Sequence, residues 1–199
     1  PITTKLQVGS HPAHRTGHNY MVYFGTGKYF EASDNNVVGE LTQTFHGLWD
    51  DGTVISGRNE LLEQTITKEL EIDAGKYRMV SDNEINWEGA TPHRGWFMDL
   101  LNTDAGNTEN YGERQVSDAV LRNDRIIFTT LIPSTDVCAA GGSGWLMEIN
   151  AQDGGVLSES AFDTNNDGVI DAHDMVDTTG DGTPDSYVGG LQPGEGIPS

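Results

Sequence analysis

A chain of 199 residues suits one domain or a large piece of one, since a domain takes roughly 100–200 residues. With 35% hydrophobic residues and 25 glycines, it holds enough apolar material for a core but much turn and loop, a balance that favours a β-rich protein over a helical one. The net charge of -20, from 31 acidic against 11 basic side chains, argues against nucleic acid as a partner and for cations or basic surfaces; acids outside residues 163–185 also fit a salt-adapted surface.

The opening PITTKLQVGS is no signal peptide, and the chain lacks an initiator Met, so it reads as a piece of something longer. HPAHRTGH sets His11, His14 and His18 close together, but with no Cys or carboxylate nearby a solvated loop is expected rather than zinc. YMVYFGTGKYFE (20–31) holds two short β-type runs around Gly25 and Gly27. It is not a phosphate loop, because Tyr29 follows Lys28 where Ser or Thr is required. TQTFHGLW (42–49) is aromatic and β-branched, as strands are. GRNELLEQTITKEL (57–70) has some helical character, although Thr and Ile at alternate positions leave helix and strand both open.

GWFMDLL (95–101) and GWLMEIN (144–150) are alike, each an aromatic and apolar strand opened by Gly-Trp. Between them, AVLRNDRIIFTTLIP (119–133) gives two strands flanking a tight Asn123-Asp124 turn. Cys138 is the lone cysteine, either a buried small residue or one whose partner lies elsewhere in a longer chain. Ser143, in GGSGW, has Trp145 two residues on and so is no nucleophile elbow. MEINAQDGGVL (147–157) reads strand, turn, strand, which resembles the repeating unit of quinoprotein-like β-propellers; about 40–50 residues per blade would make this chain roughly four blades. An open set of blades leaves edges exposed, so residues 1–10 and 186–199 are expected where further chain or a partner continues the structure. On that reading, the Gly- and Pro-rich tail VGGLQPGEGIPS is loop. No apolar run approaches the ~20 residues of a membrane span.

The chemistry concentrates near the end. In DTNNDGVIDAHD, Asp163, Asn165, Asp167 and Asp171 fall at positions 1, 3, 5 and 9 of a calcium loop. Gly168 makes the turn at position 6, and Val169 offers its backbone carbonyl at position 7. Position 12 is Asp174, shorter than the Glu of an EF-hand. DTTGDGTPD repeats the pattern with Asp177, Thr179, Asp181, Thr183 and Asp185, more weakly, because Thr179 is an indifferent donor and Pro184 stiffens the loop. The tandem resembles thrombospondin type 3 loops. A dockerin is excluded, since MVDTTGDGTPD follows where an apolar helix is needed.

The blocks MVYFGTGKYFEASDN (21–35), FHGLWDDG (45–52), GWFMDL (95–100), GERQV (112–116), IIFTTLIPSTDVCAAGGSGWLMEIN (126–150) and FDTNNDGVID (162–171) resemble, in order and spacing, the C-terminal propeller domain of the PilC/PilY type IV pilus tip adhesins and assembly factors. That resemblance implies an all-β fold, part of a β-propeller with a calcium-binding loop insertion, matched by the first loop (163–171) of the tandem at 163–185. It also implies a secreted, non-enzymatic protein at the pilus tip or outer cell surface, working with minor pilins in pilus assembly and adhesion to a host or abiotic surface. Family members bind calcium through positions that match Asp163, Asn165, Asp167, Val169 and Asp171, and calcium occupancy is coupled to pilus extension and retraction; the second loop is not a family feature. Two other classes share parts of the pattern: a calcium-stabilised surface or filament protein, and a quinoprotein-type dehydrogenase, which would need an open metal position beside a cofactor well.

Overall fold

The computed structural model describes residues 1–14, 16–17, 19–35, 41–104, 107, 109–134 and 142–193; His18, Cys138 and the last six residues of the tail lie outside them. The described chain is all-β. Its strands are β1 (Gln7–Ser10), β2 (Tyr20–Gly25), β3 (Thr44–Asp50), β4 (Leu62–Ile72), β5 (Gly75–Val80), β6 (Gly95–Asn102), β7 (Val120–Arg122), β8 (Arg125–Thr129), β9 (Leu146–Asn150) and β10 (Gly190–Gln192). They pair as one sheet in the order β1-β2-β3-β6-β4-β5-β10-β9-β8-β7.

Every pairing is antiparallel except β4 with β6. This parallel joint stitches an antiparallel run of four strands to one of six, so the pairing does not mark off the four-stranded blades expected from the repeat arithmetic. The sheet nearly closes. A Cβ on Gly9 of β1 would lie 2.7 Å from Leu121 of β7, which brings the two ends of the strand order side by side.

Strand periodicity explains most of these elements. Along β2, Met21, Tyr23 and Gly25 point inward and alternate with more exposed neighbours, as a half-buried strand requires. The ambiguous 57–70 stretch resolves into a short 3-10 turn at Arg58–Glu60 followed by the long strand β4. Alternate burial of Gln64 and Ile66, with β-branched Thr65 and Thr67 between hydrogen-bonded neighbours, favours the strand over a helix. Between β7 and β8, Asn123 (φ 50°) and Asp124 (φ 59°) form the expected two-residue turn, both left-handed. The tail departs from expectation: Gly190–Gln192 is a strand between β5 and β9, inside the sheet rather than at an edge. A Cβ on Gly190 would stand 2.6 Å from Met147 Sδ, so a larger residue there would have to displace that buried side chain.

The main core gathers Met21, Phe45, Ile66, Trp96, Met98, Ile126, Phe128, Met147 and Ile149. Phe45 and Phe128 stack at 3.9 Å between centroids. A second, smaller core joins Tyr77 and Met79 of β5 to Phe162, Val176 and Val188. β5 is therefore covered on both sides, with Val80 facing the main core and Tyr77 and Met79 facing the 162–188 segment. That second contact is what positions the acidic loops.

Candidate metal centre

The acidic segment is anchored at both ends and the middle. Phe162 and Val176 bury against β5, Val176 bridges to Ser186, the Tyr77 hydroxyl donates to the Asp163 carbonyl at 3.0 Å, and Lys68 Nζ donates to the Thr178 carbonyl at 3.1 Å. Between these anchors the chain makes two turns of closely similar shape. In the first, the Gly168 N–H donates to Asp163 Oδ2 at 2.9 Å; in the second, the Gly182 N–H donates to Asp177 Oδ2 at 2.6 Å. The fourth and sixth positions are left-handed in both, Asn166 (φ 62°) and Gly168 (φ 84°) against Gly180 (φ 78°) and Gly182 (φ 87°). Glycine at the sixth position answers the need for positive φ.

Within the first loop the side-chain oxygens hold the backbone. Asn165 Oδ1 accepts from the Asp167 N–H at 2.9 Å, Asp167 Oδ1 from the Val169 N–H at 2.8 Å, and Asp171 Oδ1 from the His173 N–H at 2.8 Å. The last of these bonds, with the neighbouring His173 ring, holds the Asp171 carboxyl below its ordinary range. Asp174 has a role its position at the end of the loop did not suggest. It is fully buried, with Oδ1 accepting from the Thr164 N–H and Oδ2 from the Asp171 N–H, both at 2.8 Å, so it closes the loop on itself. Asp163 Oδ1 is different again: it is buried and has no hydrogen-bond partner.

The second loop leaves its leading carboxylate no such spare oxygen. Asp177 Oδ1 accepts from the Thr179 and Gly180 N–H groups at 3.0 and 2.7 Å and from the Thr179 hydroxyl at 3.2 Å. These bonds, that from Gly182 first, hold its carboxyl below the usual range. Asp181 Oδ1 accepts from the Thr183 N–H, and Asp185 is occupied by Thr178. Among the described residues, no three His, Cys, Asp or Glu side chains stand close enough together to form a ready metal cluster. The expected ligand residues are thus brought into two well-shaped turns, but their carboxylates are turned toward backbone N–H groups rather than toward a common point.

The other sequence candidates take structural places. His11 lies in the core rather than in a solvated loop: it is fully buried, with ring centroids 4.5 Å from Trp49 and 4.3 Å from Trp87. Its Nδ1 accepts from the Ala13 and His14 N–H groups, and burial, with His14 nearby, pushes its pKa down to about 4. Lys28 pairs with Asp34 at 3.0 Å, and Ser143 bridges to Ile132. Sequence reasoning missed a buried charge cluster in which Arg78 is held by Glu69 and Glu113 and lies 4.0 Å from the Trp145 ring centroid.

The same architecture occurs in a solved structure. The crystal structure of the Pseudomonas aeruginosa PilY1 C-terminal domain matches 96% of this chain and 39% of its own, with a TM-score of 0.82 and 26% identity. The type IV pilus biogenesis factor PilY1 of P. aeruginosa is 32% identical over 176 residues, or 80% of this chain, and a PilY1 homolog of Xylella fastidiosa is 34% identical over 157 residues, or 78% of it. The chain is homologous to the C-terminal domain of PilY1. It spans only 15% and 10% of the length of those two pilus biogenesis factors. No protein-family model matches it. Among the described residues, no helix is long and apolar enough to cross a membrane.

Proposed function

We propose that this chain is the calcium-responsive part of a PilY1-like type IV pilus biogenesis and adhesion factor, carried at the pilus tip or outer cell surface. One observation carries the calcium assignment: Asp163 Oδ1, at the first position of the first loop, is a buried acceptor with no donor. A carboxylate oxygen left so is costly unless something positive meets it, and the odd-numbered spacing of hard oxygens around it fits calcium. Asp163, Asn165, Asp167, the Val169 carbonyl and Asp171 would hold the ion. What it supplies there is charge neutralisation and cross-linking, with no chemical step.

The consequence for the fold follows from the anchors. The loop begins one residue after Phe162 and ends shortly before Val176, both packed on β5, so an ion that stiffens the loop stiffens the cover over β5. Calcium therefore stabilises the 162–188 segment on the sheet, and its loss loosens that cover, which is the sense in which occupancy acts as a switch. We assign the ten-stranded sheet to a propeller within a longer secreted chain, and minor pilins and a surface ligand to the partners of that longer protein, on the strength of the homology. The second loop, Asp177 to Asp185, is assigned the weaker site, because the leading carboxylate already accepts four hydrogen bonds.

Calorimetric titration with calcium tests the assignment. A tight step with a dissociation constant of roughly 10⁻⁶ to 10⁻⁴ M is expected, lost in Asp167→Ala. An isotherm unchanged by that substitution removes the first loop as the site.

A further inference from the structure

Beside the Arg78 cluster the sheet opens. β4 pairs with β6 only from Leu62 to Ile66 and then runs on to Ile72, leaving a cavity of about 380 Å³ between its second half, β5 and the 109–113 segment. Leu70, Leu101 and Ile132, all half-buried, make its accessible apolar wall, over a floor of Trp145 and Leu100, each 2% exposed. Glu71, Glu109 and Tyr111 stand exposed at its mouth.

The charge of this cavity is negative and its cation is already committed. Arg78 donates from Nε to Glu69 at 2.9 Å, and from its terminal nitrogens to Glu69 at 2.8 Å and to Glu113 at 2.6 and 2.7 Å, so it has almost no donor left for an incoming anion. Four lining carboxylates, Glu69, Glu71, Glu109 and Glu113, face two cations, Arg78 and Lys76; Lys76 pairs with Glu71 at 3.7 Å across exposed side chains, a contact an incoming cation can exchange. The Tyr111 hydroxyl donates to Glu109, and that bond first, then the Glu109 charge, raises its pKa. A shallower depression continues from the cavity past Asp73 and Leu191, sharing Glu71, Lys76, Ser143 and Gln192 with it. The feature is therefore an elongated acidic groove with one deeper hole.

We propose that this groove receives a lysine or arginine side chain carried on a partner polypeptide, with the aliphatic stem against Leu101 and Ile132 and the charged head among Glu71, Glu109 and the Tyr111 ring. Long basic side chains are suited to such a site because they bury an apolar stem while the head stays near charge and an aromatic face. The elongation beyond the hole favours a peptide over a free amine. The surplus of carboxylates and the saturation of Arg78 disfavour an anion. This reading is independent of calcium occupancy.

The test is an NMR titration of the isotope-labelled protein at low salt with four probes: acetyl-Gly-Lys-Gly-amide, its norleucine and glutamate analogues, and cadaverine. The lysine peptide is expected to saturate shifts at Tyr111 and around Glu71, about tenfold more tightly than the norleucine peptide, and to weaken as salt is raised. Glu71→Gln combined with Glu109→Gln, two exposed positions outside the Arg78 pairings, should weaken it about tenfold while the thermal melt stays unchanged. Equal binding of the norleucine peptide, preference for the glutamate peptide, binding of cadaverine without the peptide, no shift at the groove, or indifference to the double substitution would each overturn the proposal.

Discussion

Replacing Asp163 by asparagine separates the ion-binding role of this side chain from its structural one. The variant keeps an oxygen for the Gly168 N–H, now at 2.9 Å from Asp163 Oδ2, and removes the charge from the buried oxygen that has no partner. Without calcium, an unsatisfied buried acceptor costs about 1–3 kcal/mol and more when charged, so the amide should cost nothing or recover up to about 1 kcal/mol, equivalent to about 2–4 °C for a chain of this size. With calcium at a thousandfold excess over the dissociation constant, the wild-type chain gains about 4 kcal/mol, or roughly 8–16 °C in Tm, and the variant forfeits most of that. The two melting curves should therefore exchange order between chelator and calcium in scanning calorimetry. A variant that melts lower by the same amount in both buffers would show a purely structural side chain, and a wild-type Tm unmoved by calcium would refute the site.

The two loops should respond unequally: Asp163→Ala is expected to remove the stronger calcium step and Asp181→Ala only a weaker one, and the reverse pattern in titration would invert the ranking. Arg78→Ala leaves Glu113, itself 3% exposed, as an uncompensated buried charge, so urea denaturation should show a loss of about 3–5 kcal/mol. His11 and His46 both have folded pKa values lowered by burial to about 4, so the unfolded chain takes up their protons first. Stability from both should be intact above about pH 6.5 and fall progressively toward pH 4; His11→Gln should flatten that part of a Tm-against-pH profile, and an unaltered slope would assign the acid sensitivity elsewhere.

Legibility in the sequence followed the range of the interactions. The Asn123-Asp124 turn and both acidic turns are decided by residues within a few positions of one another, and their spacing alone announces them. β4 was ambiguous because its pattern is mixed locally and only β5 and β6 on either side make it a strand. Arg78 carries no local sign of its burial in KYRMV, since Glu69 lies on another strand, Glu113 in a distant loop and Trp145 farther still. His11 was misplaced for the same reason: Trp49 and Trp87, which enclose it, come from elsewhere in the chain. The free oxygen of Asp163 is a further case, because spacing names a ligand but cannot say which of its oxygens the backbone has already taken.

The central seat of β10 bears on the order in which the molecule can be built. A chain produced from its amino end completes β5 and β9 long before residues 190–192 exist, and each must wait with one row of amide and carbonyl groups open toward the other. Such a gap is a template for wrong pairing, and closing it late is slow because the partners are far apart in sequence. The acidic segment is the last stretch to emerge before the strand that fills the gap. The repulsion among its seven aspartates across residues 163–185 opposes early collapse of this stretch onto the open rows before β10 pairs between them.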